Sequence, residues 1–183
     1  MQTFTPDDLE EDILSDLMEE INELYESSEQ TLIELELRPE DNELQRALFR
    51  SIHTIKGDLG LVNFSPMIPL LQHVEDLLDY LRKGQVAYTS TMSDLVLLTM
   101  DRVKAFVESV MADGKAEYDD NLHNQLVLAI GRVTPENTAE HEKRLTEAVL
   151  LLNPALDIVT DEDDPQNVQI KPPTLAATGI PKD

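Results

Sequence analysis

The sequence predicts an all-α protein: an antiparallel, up-down four-helix bundle followed by one or two further helices. Three observations carry this expectation. Of the 183 residues 41% are apolar but only 4% aromatic, with no Trp, and a leucine-rich, aromatic-poor composition favours helices over a β-sandwich. Apolar residues recur at spacings of three and four in one segment after another, the signature of an amphipathic helix. The segments are separated by Pro, Gly and Asn breakers, with no strand–helix alternation between them. The expected organisation is a bundle over residues 1–115, a helical extension over 116–153, and an acidic, Pro-rich linker or disordered tail over 154–183.

The first helix is expected over Pro6 to Leu37. Ile13, Leu17, Ile21, Leu24, Ser28, Thr31 and Leu35 define its inward stripe, while Asp12, Asp16, Glu19, Glu20, Glu23, Glu26 and Glu29 occupy the other faces. Arg38-Pro39-Glu40-Asp41 ends it, because the residue before Pro is pushed out of the α region. A second helix, from about Asp41 to Val62, has the stripe Leu44, Leu48, Ile52, Ile55 and Leu59, and Asn63 is suited to a left-handed stop. Ser65-Pro66 reads as N-cap and first helical position of a third helix, which runs to Lys83 on the stripe Leu70, Leu71, Val74, Leu77, Leu78 and Leu81. Its short link to the second predicts an antiparallel hairpin. The fourth helix is placed at Thr89 to Ala112, with Leu95, Leu98, Arg102, Ala105 and Val110 on its core side and Asp113-Gly114 closing it. A fifth covers Asn121 to Val133 with Leu122, Leu126 and Ile130 inward. A sixth restarts at Thr134-Pro135-Glu136, carries Leu145, Val149 and Leu152, and stops at Asn153-Pro154.

Composition excludes several classes of function. A net charge of −23 opposes binding to nucleic acid, where clustered Lys and Arg must displace counterions, and to anionic membrane surfaces. There is no Cys, so disulfide and thiolate chemistry are absent. The N-terminal residues lack the basic and apolar regions of a signal peptide, and no apolar run approaches the roughly 20 residues that span a bilayer. A cytoplasmic protein is the expectation. No Gly-rich phosphate loop and no nucleophile elbow occurs, and the abundant carboxylates give no metal-ligand spacing, so neither cofactor nor metal is expected.

Of the four histidines, His141 is expected at the surface, His123 as a bystander and His73 as incidental and partly buried. His53 differs. At about 100° per residue the second helix's apolar stripe lies more than roughly 90° away from it, whereas Arg46, Phe49, Arg50, Lys56, Gly57 and Gly60 share its face. Two glycines inside a helix cost about 1 kcal/mol each relative to Ala, which suits a face that something must approach closely. An imidazole with a free ring nitrogen is a competent nucleophile near neutral pH. Phosphoryl transfer to it needs open in-line access and nearby positive charge, which Lys56, Arg46 and Arg50 supply.

His53-Thr54-Ile55-Lys56-Gly57, followed by Gly60 and Phe64, resembles the signature of histidine-containing phosphotransfer (HPt) domains, in particular the type at the N-terminus of chemotaxis histidine kinases. The resemblance covers about residues 8–112. It implies that His53, on the second helix of the bundle, is the phosphoacceptor, that Lys56 contacts the phosphate, and that Gly57 permits partner approach. It further implies that Glu75 holds the histidine's other nitrogen. The implied role is a phosphorelay intermediate exchanging phosphoryl groups with response-regulator receiver domains or a histidine kinase, and not an autonomous kinase. The alternative is a non-catalytic helical module that binds receiver domains or regulates a fused output domain. Two positions depart from the pattern: Asn63 stands where Gly is usual, and Asp58 brings a carboxylate that would slow transfer if it faced the phosphate.

Overall fold

A computed structural model of the chain describes residues 1–7, 9–136, 138–153, 157–160 and 168–171. Four helices carry the architecture: α1 (Glu11–Leu37), α2 (Asn42–Leu61), α3 (Ile68–Arg82) and α4 (Ser90–Asp113). α2 packs on α1 and α3, and α4 closes the ring against α1, with a thinner direct seam to α3. Their inner faces share one core in which Ile21, Leu32, Leu48, Ile52, Leu59, Leu71, Leu77 and Leu95 are fully enclosed. The chain is helical, as its composition and periodicity predict.

The ends of these helices follow from local chemistry. Asp41 caps α2, its Oδ1 accepting from the amides of Glu43 and Leu44 at 3.0 and 3.2 Å, which satisfies two of the four amides a helix start leaves open. At the other end Asn63 adopts φ 60°. The Phe64 amide then bonds the Leu59 carbonyl at 2.9 Å and the Asn63 amide that of Gly60 at 3.2 Å, the paired bonds of a Schellman stop. Thr89 caps α4 through Met92, and Gly114 ends it at φ 72°.

Several boundaries and faces differ from the sequence expectation. α1 begins at Glu11 rather than Pro6, and Gln2–Phe4 forms a strand (β1) paired antiparallel with Ala116–Tyr118 (β2), Gln2 opposite Tyr118 and Phe4 opposite Ala116. The Phe4 ring draws the chain there, meeting Phe64 at 5.2 Å and Phe106 at 5.3 Å. On α1 the buried arc also takes in Leu14, Met18, Tyr25 and Leu32, while Ile13 is exposed; a helix wedged between α2 and α4 needs two adjacent stripes, of which the spacing picked out one. Ser65 caps no helix, because Ser65–Met67 is a single 3₁₀ turn and α3 starts at Ile68. Ala105 is exposed and Arg102 is only part-buried, the inward positions of that turn being Val103, Phe106 and Val107.

Helices α5 (Asp120–Gly131) and α6 (His141–Leu152) form a second hairpin. It lies on the bundle, α5 against α3 and α6 against α4, and Leu126, Ile130, Leu145 and Val149 join the same core. This explains why Met92 through Met100 are buried continuously: a helix apolar around its circumference must be covered on all sides. His141, expected at the surface, is buried at the start of α6 because α6 begins later than Thr134-Pro135-Glu136 suggests and its first turn packs at the start of α4, where the Thr91 hydroxyl donates to Glu142. His123 is buried too, its Nε2–H donating to the Pro66 carbonyl at 2.7 Å. Beyond residue 153, Asp157–Thr160 (β3) and Val168–Lys171 (β4) pair antiparallel. This hairpin, with β-branched residues in both strands, lies within the stretch expected to be a linker; the remainder of 154–183 lies outside the described residues.

Candidate functional site

The site is built on the seam between α2 and α3. The antiparallel pairing of these helices brings Glu75 beside His53, and the His53 Nδ1 to Glu75 Oε1 distance is 2.9 Å. The Glu75 carboxylate is almost enclosed, 11% exposed, while the imidazole is 61% exposed. The second oxygen of Glu75 meets Lys56 Nζ at 2.6 Å. Lys56 also donates to Gln72 Oε1 at 2.9 Å, and Gln72 Nε2 donates to Asp76 Oδ1 at 2.9 Å. Burial pushes the Glu75 carboxyl up, but hydrogen bonds from Lys56 and His53, and their charges, outweigh it and hold the group below the usual carboxylate range.

This arrangement decides the tautomer. An ionised carboxylate can only accept, so Nδ1 carries the proton and donates to Glu75, and the lone pair is left on the outward Nε2. The same bond fixes the orientation of the ring. A second contact holds the imidazole plane: the Phe49 ring stacks on it at 6.0 Å with 12° between planes. The Arg82 guanidinium lies 4.4 Å from the Phe49 ring centre and is itself held by Asp79 at 2.6 Å. The hydrogen bond from Lys83 lowers the Asp79 carboxyl, burial opposes it, and the Arg82 hydrogen bond and both charges leave the group below its ordinary value.

The sequence-predicted residues therefore come together on one surface. His53, Arg46, Arg50, Gly57 and Gly60 are exposed on α2 and Phe49 is half-buried among them. Arg46 pairs loosely with Glu43 at 3.6 Å, and Arg50 makes no ion pair among the described residues. A Cβ built on Gly57 or Gly60 would meet nothing within 4 Å, so neither glycine is needed by the packing of this chain. Lys56 is less outward than its spacing suggests: its side chain is 19% exposed, ion-paired with Glu75 and donating to Gln72. Asp58 lies roughly 140° around α2 from His53 and neighbours Glu20 across the α1–α2 seam; the nearby Asp58 carboxyl is the main cause of a raised Glu20 carboxyl, with burial adding to it.

Gln72 and Arg82 are members of the site that sequence spacing did not single out. The available signal was the row Gln72, Glu75, Asp76 and Asp79, a polar edge of α3 at three- and four-residue steps beside the leucine stripe. A cleft of about 800 Å³ lies elsewhere, between the start of α2, the α3–α4 connection and the start of α6, with Gln45, Tyr88 and His141 among its walls. His53 is not among the walls of this cleft. Among the described residues no cluster of three or more potential metal ligands occurs, and no helix is long and apolar enough to cross a membrane.

Comparison with known proteins gives the following. The Hpt domain family model matches residues 12–106, just over half the chain. The sensor histidine kinase CheAY of Helicobacter pylori is 33% identical over 145 residues, which is 78% of this chain and 18% of that protein. The chemotaxis protein CheA of Halobacterium salinarum is 33% identical over 109 residues, 60% of this chain and 16% of that protein. The chain thus spans less than a fifth of the length of these two relatives. Among solved structures, the CheA phosphotransferase domain from Thermotoga maritima superposes with a TM-score of 0.53 at 32% identity, covering 56% of this chain and 97% of that one. A solution structure of the histidine phosphotransfer domain of CheA gives 0.57 at 27% identity, covering 70% and 98%.

Proposed function

We propose, from the premise that the chain belongs to the Hpt domain family, that it is a phosphorelay intermediate whose His53 accepts and returns a phosphoryl group. The observation that carries this reading is the His53–Glu75 bond, which leaves Nε2 as the outward, unprotonated nitrogen. In the forward step the Nε2 lone pair attacks the phosphorus of an acyl phosphate on a receiver-domain aspartate. The N–P bond forms, the P–O bond to the aspartyl carboxyl breaks, and that oxygen leaves as carboxylate. The imidazole then carries a positive charge with Nδ1–H retained, and Glu75 stabilises it in place. Lys56 turns an N–H donor to a phosphoryl oxygen, and Arg46 and Arg50 supply positive field on a chain that is otherwise strongly anionic. Donation from a histidine kinase uses the same nucleophile with a nucleotide phosphate as donor.

The partner docks on the α2 face. Its acidic phosphorylation pocket meets Arg46, Phe49 and Arg50, and the bare backbone at Gly57 and Gly60 lets it approach. Complementarity of this kind favours fast, transient encounter. The alternative, a scaffold that binds receiver domains without transfer, has no use for a carboxylate that fixes the histidine tautomer. The test is incubation with a phosphorylated receiver domain. Wild type is expected to take up label that is stable to alkali and labile to acid, and His53→Gln to take up none. Unlabelled wild type, or equal labelling of both, refutes the proposal.

A further inference from the structure

Leu61 is the last residue of α2 and is 84% exposed. At about 100° per residue it lies roughly 80° around the helix from His53, adjoining Gly57 and Gly60 on the same side. Among the described residues, the other large apolar residues with comparable exposure, Met1 and Leu37, lie outside α2. Around Leu61 nothing stands up to shield it, because the two glycines preceding it carry no side chain and have open space above them. The α2 face is therefore polarised along its length. Arg46 and Arg50 lie toward its N-terminal end, beside Arg82 at the end of the antiparallel α3, while the C-terminal end is bare backbone followed by one projecting leucine.

The distances match a single footprint. Eight residues of helix put Leu61 roughly 12 Å beyond His53, and Arg46 lies roughly 10 Å before it. An interface of standard size buries about 800 Å² on each partner, a patch wide enough to cover both ends when centred on the histidine. We propose that Leu61 is a specificity-determining anchor: it seats in an apolar depression of the phosphoryl-exchanging partner and sets that partner's register along α2. This rests on the phosphotransfer reading and adds a requirement for the partner. An acidic phosphorylation pocket must be bordered on one side, about a dozen ångströms from its aspartate, by exposed apolar surface.

The test separates docking from chemistry by using two donors. Phosphoramidate, a small phosphoryl donor, reaches Nε2 without a protein interface; a phosphorylated receiver domain needs one. Leu61→Asp is compared with wild type, with Leu61→Ala, and with Met111→Asp, which places the same charge near the end of α4, on the far side of the bundle. Leu61→Asp is expected to raise the KM for transfer from the receiver domain at least tenfold and Leu61→Ala several-fold, with Met111→Asp unchanged. Labelling by phosphoramidate stays at the wild-type rate in all three variants. If Leu61→Asp keeps the wild-type KM, or loses phosphoramidate labelling equally, the anchor role is overturned while the phosphotransfer reading stands. If wild type takes label from neither donor, both fall.

Discussion

Replacing Gly57 and Gly60 by Ala tests the idea that this chain keeps a weakened helix for its partner's sake. Both residues lie inside α2, both are exposed, and a Cβ at either meets no atom within 4 Å. No clash and no lost contact offsets the change, so each substitution is expected to show the helix-propensity difference of about 1 kcal/mol in full. For a chain of this size that corresponds to a rise of about 2–4 °C in Tm per substitution, and the double variant gains close to the sum because neither alanine removes a packing partner. Transfer moves the opposite way. An added methyl at a close-packed docking face costs about 1–3 kcal/mol, so transfer from a receiver domain falls about 5- to 150-fold per site. Urea denaturation followed by circular dichroism and a single-turnover transfer assay measure the two quantities on the same preparations. Variants that are less stable than wild type would refute the open-space argument. Stabilised variants that transfer at the wild-type rate would show that the bare backbone is not what the partner approaches.

Further outcomes are expected elsewhere on the α2 surface and core. Glu75→Gln removes the charge that holds Nδ1–H and lowers the transfer rate about tenfold or more; because the Glu75 carboxyl is depressed on folding, its contribution to stability is present above the ordinary Glu value of about 4.3 and lost as pH falls through the lower folded value, so wild type and variant converge in urea midpoint in acid. Asp58→Asn relieves the contact with Glu20 and stabilises the protein at neutral pH by about 0.3–0.5 kcal/mol, the size of an exposed like-charge pair. The raised Glu20 carboxyl means that this advantage vanishes at low pH, where the pair shares a proton; transfer rates equal to wild type are expected, and faster transfer would mean that the carboxylate does reach the phosphoryl group. Burial, reinforced by Arg102, pushes the His123 imidazole down against the Pro66 carbonyl and Asp120, so the folded state resists protonation and stability falls as pH drops below about 6.5. His123→Gln, which keeps a donor for Pro66, should flatten that slope in urea titrations between neutral pH and pH 5; an unchanged slope would assign the acid sensitivity to other groups.

Much of the fold was legible because α2 and α3 have one apolar stripe each, and a single stripe is what a three-four spacing reports. It was less legible in α1 and α4, where burial on two or three sides spreads the signal around the helix, so Leu14 and Leu32 were passed over and Ala105 was placed inward. β1 was invisible because three residues cannot show a period, and the reason for its place is an aromatic cluster assembled from four distant elements. At the site, the position of His53 opposite the stripe was readable from α2 alone. Glu75 needed a family pattern, since only the pairing of two helices brings it to Nδ1. The outward direction of the Lys56 ammonium was overdrawn for a related reason: spacing gives a residue's place on a wheel, whereas the partners across the seam, Glu75 and Gln72, decide where a flexible side chain ends.

The β1–β2 pairing also bears on the order in which this protein assembles. Gln2 meets Tyr118 only after the chain of α1 to α4 has been gathered between them, and closing a loop of that length is entropically unfavourable until the helices have condensed. The α2–α3 hairpin, by contrast, joins neighbours through a link of a few residues and can form early. The α2–α3 seam that holds His53 is therefore expected to acquire structure before the two ends of the bundle are clasped. A chain in which Phe4→Ala weakens the clasp should unfold faster while its refolding rate stays close to that of wild type.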